Sequence, residues 1–494
     1  MKKLLSMLLC AALTAGMLAG CGSQAAAPAA EEAASTETAT EEKEKTDADD
    51  AAKAEAASGD EQAEITLGIW PEDTLTDDIA MHEGFVEKMK ELHPNVTCTP
   101  AYYKYATDTF MPMVEAGNVP TIFETWFTEP QKLIKADAVA DITDELEARG
   151  WLDKMNPSIR ELLSDENGRV YGLPRDGYAL GLMLNVELFE EAGLVDGDGY
   201  PIYPKTWEEL AETAKTIKDK TGSAGFCLLA KDNAGGWHFS NIAWAFGANL
   251  CTDNGDGTYT ANLDSDEAIA AMEYIKSLKW DYDVLTADPS SEDWGTGFTQ
   301  LGTGGAAMYI GANDAVNQPT QANGLPVDKL ALCPIPADAG GQFSLMGGTP
   351  YMFSKDATEA EINAALDYLE IMGKAPVATE ESIAGMEADA KTKVEAGCPV
   401  LPKFPCWTDE DFLAADNKVV EELGNVDMKL YQAYYDATST AGLRSEEPAP
   451  GTVQDMYAEL TKVLQAVTTD KNADVPALMK TANDNYQAIM DAVK

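Results

Sequence analysis

Histidine is almost absent from this 494-residue chain, which carries only His82, His93 and His238, and no Cys-x-x-Cys occurs among its eight cysteines. Metal centres built on those ligands are not expected. Basic residues are scarce as well, since 35 Lys plus Arg face 84 Asp plus Glu for a formal net charge of -49. Nucleic acid and anionic lipid headgroups need basic patches, so neither is an expected ligand. Such acidity suits an exported protein kept soluble, and points more weakly to a neutral or cationic ligand. The H-E-x-x-H, G-x-S-x-G and G-x-x-x-x-G-K-[ST] patterns are missing, which removes the common motif-bearing hydrolases and nucleotide enzymes and leaves no cofactor expected. Gly302-x-Gly304-x-x-Ala307 superficially fits a dinucleotide fingerprint, but it precedes a strand instead of following one, and reads as a turn. With 84 acids, carboxylate pairs of glycosidase type are uninformative.

The longest apolar run, Leu4–Leu18, falls short of the roughly 20 residues a membrane-spanning helix needs. Behind Lys2 and Lys3 it has the make-up of a secretory signal peptide. Its end, Leu18-Ala19-Gly20-Cys21, resembles the lipobox of bacterial lipoproteins, which implies an acylated Cys21 as the mature N-terminus and a place outside the cytoplasm on a membrane surface. The alternative is ordinary cleavage beside an incidental cysteine. Residues 22–64 contain no aromatic, Leu, Ile or Val, so they cannot offset chain entropy and should form an extended acidic tether.

The body from Ile65 onward is too long for one core, and its alternation of strand and amphipathic-helix patterns predicts an α/β class. Strands are expected at 65–70, 96–99 and 120–123, with helices over 77–92 and 107–116. Ser/Thr-x-x-Glu/Asp spacings at Thr206, Thr358 and Thr452 mark helix starts, and a last helix should run from Val475 to Val493. Cys398 and Cys406 flank a proline-rich stretch, Pro399 to Pro405, and either close a disulfide loop or stay buried thiols.

Several segments together resemble the extracellular solute-binding proteins of ABC importers, carbohydrate type. They are Val170–Asp176, Leu184–Leu194, Pro204–Leu210, Phe298–Leu301 with Gly304–Gly311, Leu332–Pro336, and Gly347–Thr349 through Ser354–Asp356. The resemblance implies a two-lobe periplasmic-binding-protein-like fold of type II, with an interlobe cleft and hinge. Lobe 1 would comprise 65–177 and 347–375, lobe 2 would comprise 178–346, and 376–494 would be a mostly helical segment packing on them. It further implies a monomeric, non-enzymatic receptor that passes a mono- or oligosaccharide to an ABC permease. A membrane-anchored glycan-acting enzyme or adhesin is the alternative.

Sugar rings offer apolar faces rimmed by hydroxyls, so a sugar cleft needs aromatic platforms beside carboxylate or amide groups. Trp70, Trp126, Trp237 and Trp294 sit at segment ends and are the platform candidates, with core packing as the alternative for each. Trp151 and Trp207 read as helix-packing residues. By the resemblance, Glu124, Asp176 and Tyr178 join the cleft, Trp237 is presented by a Gly235-Gly236-Trp237 turn, and Gly348 lets backbone approach the ligand. Where sugar-binding members often place an aromatic, this chain has Ala312-Asn313-Asp314, and Asn313 is the candidate donor to a hydroxyl.

Overall fold

The computed structural model describes residues 62–492 apart from 74, 108, 441 and 445–450. The signal segment, Cys21 and the acidic tether therefore lie outside the described residues. Eleven strands are present among those described: β1 Ala63–Leu67, β2 Val96–Pro100, β3 Ile122–Glu124, β4 Gly172–Asn185, β5 Ala224–Cys227, β6 Cys251–Asp253, β7 Tyr259–Ala261, β8 Ala306–Ala312, β9 Leu330–Cys333, β10 Phe343–Phe353 and β11 Gly442–Arg444.

β4 and β10 decide the architecture. At 14 and 11 residues they are long strands, paired antiparallel from Met346 opposite Ala179 to Met352 opposite Gly172. At one end β10 pairs with β3, which continues through β1 to β2. At the other, β4 pairs with β8 and β9, and β8 carries β5. The two strands thus cross from one lobe to the other. Their ladder shifts register between Thr349 and Pro350, where proline has no N–H to give.

Each end has its own apolar core. The first gathers Ile65, Leu67, Phe123, Leu173, Tyr351 and Leu366, and the second gathers Leu182, Trp207, Phe226, Met308, Leu332 and Leu460. The chain is a two-lobe α/β protein, as the sequence suggested. Helices Val453–Thr469 and Val475–Ala492 bury one face each in the second core. The proline-rich stretch forms a third passage, since Cys398 and Leu401 belong to the second core while Cys406 and Trp407 belong to the first. Both its cysteines are free thiols, like the other four described.

Local signals foretold all three helix starts, at Thr206, Thr358 and Thr452, though one of the three lacks the side-chain cap. Thr358 and Glu361 exchange both bonds of a capping box, and Thr206 accepts from the Glu209 amide. Thr452 caps nothing: its hydroxyl lies 3.2 Å from the Tyr486 hydroxyl. A second expectation fails more instructively. Gly235-Gly236-Trp237 is not a turn but the first part of helix Ala234–Ala245. A Cβ on Gly236 would stand 2.3 Å from the Tyr457 backbone, so these glycines are spent on close contact between two helices.

Candidate functional site

The crossover strands bring a charged group together where the two lobes meet. Glu124 ends β3, and Arg175 and Asp176 lie in β4. The Arg175 guanidinium donates at 2.7 Å to Glu124 Oε2 and at 2.7 Å to Asp176 Oδ2, with Thr349 Oγ1 of β10 at 3.4 Å. Burial raises the Glu124 carboxyl above its usual range while Arg175 opposes the shift. Burial works against the Arg175 charge, yet Asp176 and Glu124 outweigh it and hold the guanidinium protonated. Arg175 stood inside the sequence signature without being picked out, because only folding sets Glu124 beside it.

Asp314, just past β8, faces the same group from the second lobe. It keeps accessible surface, yet enough protein surrounds it to push its carboxyl up to about 7, and the Asp176 charge adds to the effect. Water reaching the residue screens part of that interaction. Accessible and crowded at once is what a narrow cleft produces. Lys374, after helix Glu359–Ile371, is half-buried, and its ammonium is lowered by burial against the opposing pull of Asp176. Sequence reasoning missed Asp314 and Lys374 as site residues; no local pattern distinguishes them from the many other charges.

The aromatic candidates fall into separate settings. Trp126 follows β3, is 41 % exposed, and meets Tyr105 edge-on with ring centres 5.5 Å apart. Trp237 is half-buried, edge-on to Tyr178 at 6.1 Å and tilted over His238 at 4.6 Å. The structure therefore joins Trp237 with Tyr178, and Glu124 with Asp176. Trp70 packs against His82 at 5.4 Å, and Trp294, 44 % exposed, against Phe298 at 4.9 Å. No ring contact or hydrogen bond among the described residues ties either of these two to the Arg175 group.

Two other candidates are occupied by the protein itself. Asn313 is buried, donating to the Pro402 carbonyl at 2.9 Å and accepting from the Tyr434 hydroxyl at 3.1 Å. Its amide thus ties β8 to the passage segment. A Cβ on Gly348 would lie 2.5 Å from the Asp176 carbonyl and from the Phe127 ring, and its carbonyl accepts from Phe127 N at 3.1 Å. Close packing of the hinge, rather than of a ligand, requires that glycine.

Comparison with known proteins agrees with the two-lobe fold. A binding protein of Brucella abortus strain 2308 is 28% identical over 235 residues, 46% of this chain and 52% of that one. The chain spans about half the length of the curated relatives it matches. Among solved structures, an ABC transporter solute-binding protein of Thermotoga lettingae bound with α-D-tagatose aligns with TM-score 0.64 at 17% identity, over 87% of this chain and 98% of that one. The GacH receptor of Streptomyces glaucescens, solved unliganded and with acarbose, aligns with TM-score 0.64 at 18% identity, over 88% of this chain and all of that one. The family model of the bacterial extracellular solute-binding proteins matches residues 72–378, and the chain belongs to that family.

Proposed function

We propose that this protein is an extracellular receptor that captures a mono- or oligosaccharide between its lobes and delivers it to an ABC-type permease, as a monomer anchored through a lipid on Cys21. The observation that carries the reading is the pairing of an accessible indole, Trp126, with the polar Glu124, Arg175 and Asp176 group on neighbouring segments of the crossover region. Stacking on a sugar face and hydrogen bonding to its rim need those two kinds of group together. Trp237 and Tyr178 would supply the wall from the second lobe. The tagatose and acarbose bound by the structural neighbours support the carbohydrate class. No helix among the described residues is long and apolar enough to cross a membrane.

Binding without turnover is the reading we favour over a glycan-acting enzyme. A glycosidase needs one carboxylic acid and one carboxylate facing the scissile bond. Here Glu124 and Asp176 both spend an oxygen on one guanidinium. The test is a thermal-shift screen of mono- and oligosaccharides followed by calorimetric titration. A ligand bound only by the folded state raises stability by about 2.7 kcal/mol at a hundredfold excess over Kd. A screen in which no sugar raises the melting temperature, or one in which purified protein hydrolyses a glycan, would overturn the proposal.

A further inference from the structure

Away from the crossover strands, the Gln454 side chain bridges the lobes. Gln454, in the first turn of helix Val453–Thr469, donates from Nε2 to Thr128 Oγ1 at 3.2 Å and accepts at Oε1 from Asn233 Nδ2 at 2.9 Å. Thr128 is buried in the first lobe and donates onward to Glu129 Oε1 at 3.3 Å. Glu129, also buried, accepts from the Tyr105 hydroxyl at 2.7 Å, and the Tyr105 ring supports the Trp126 indole. On the other side Asn233 immediately precedes helix Ala234–Ala245, and its carbonyl accepts from the Trp237 amide at 3.2 Å. A chain of hydrogen bonds thus runs from beneath Trp126 on one lobe to the helix turn that carries Trp237 on the other. The backbones are tight nearby, since a Cβ on Gly451 would lie 2.8 Å from the Lys132 side chain.

We propose that Gln454 is an interlobe latch, a positioning residue that holds the Trp126 loop and the Trp237 helix at a set separation. Glutamine suits the position because one amide both donates to a hydroxyl and accepts from a second amide. A glutamate there could not donate to Thr128 and would bring a charge toward the buried Glu129. Rotation of the lobes that moves Thr128 from Asn233 has to break one of the two bonds, so the latch biases the interlobe equilibrium toward the arrangement seen here. Only its consequence for affinity rests on the receptor reading.

Hydrogen exchange of the ligand-free full chain tests this directly, with Gln454→Ala, Thr128→Val and the double variant. Peptides covering 126–133 and 233–237 should exchange about threefold faster or more in each single variant, as expected for loss of at least one ordinary hydrogen bond, the Gln454–Thr128 bond being common to both. The double variant should show clearly less than the sum of the two single effects, because both remove the same Gln454–Thr128 bond. Faster exchange confined to the first turn of the Gln454 helix, additive effects, or no change in variants that melt cooperatively would each overturn the latch. With a confirmed sugar in hand, Gln454→Glu should change affinity severalfold without touching the ligand, and unaltered affinity would count against the latch. Because exchange is read without ligand, a protein that bound no sugar would sink the receptor reading and leave the latch standing.

Discussion

Arg175 on the first crossover strand and Glu124 at the end of β3 form an ion pair at 2.7 Å, and the same guanidinium holds Asp176. The pair ties the hinge to the first lobe, and the guanidinium bridges two carboxylates whose mutual repulsion it partly offsets.

Removing the guanidinium should therefore cost stability as well as binding. Arg175→Met is expected to lower stability by about 1–3 kcal/mol, less than a fully buried pair because the partners are about one third exposed. Arg175→Lys should recover only part, since an ammonium cannot bridge both carboxylates with the same planar fork. Urea midpoints decide this, and an unchanged midpoint in Arg175→Met would refute the argument.

Asp314 should make stability fall as pH rises from about 4 to about 7. Its carboxyl is raised from the usual 3.8 to about 7, so the folded state binds the proton more tightly than the unfolded chain. The resulting stabilisation is complete below about pH 4 and is lost between there and about pH 7. Asp314→Asn, which cannot ionise, should gain on the parent across that window by at least about 2 °C in melting temperature. Parallel melting curves of the two proteins from pH 4 to 8 with a constant offset would show that Asp314 is not perturbed.

Trp126 and Trp237 should separate from the core indoles in their behaviour. Either change to Ala is expected to weaken sugar affinity at least tenfold, about 1.4 kcal/mol. Trp126→Ala should keep its melting temperature within a few degrees, given its exposure. Trp207 is 0% exposed in the second core, and its truncation should cost about 3–5 kcal/mol of stability. Titration and melting of the three variants settle the matter, and unaltered affinity in Trp126→Ala with a large thermal loss would remove it as a platform.

Gly236→Ala should destabilise the second lobe by about 1–3 kcal/mol, because the added methyl meets the Tyr457 backbone at 2.3 Å. Were the residue in a free turn, the change would be close to neutral. Chemical denaturation distinguishes the two.

Cys21→Ser should abolish acylation and release the protein from membranes or leave the precursor uncleaved. Acyl chains contribute about 0.8 kcal/mol per buried CH₂, so fractionation should show the difference plainly. Continued acylation of the variant would end the anchor proposal.

The sequence by itself determined what depends on neighbours a few residues apart. The Thr358 capping box was legible because its partners are three positions apart, and the burial of Trp207 followed from its place on an amphipathic helix. Trp126 was proposed as a platform by the rule that α/β sheets present ligands beyond strand ends, and its exposure was not legible until the fold was known. Residues whose surroundings come from distant chain stayed ambiguous or misled. A Gly-Gly pair reads equally as a turn or as a helix contact until Tyr457 arrives against it. Asn313 looked like a free amide because Pro402 and Tyr434 lie far along the chain. Arg175, Asp314 and Lys374 became one electrostatic group only when crossover strands and both lobes converged, since charge coupling depends on separation in space, about which sequence spacing says nothing.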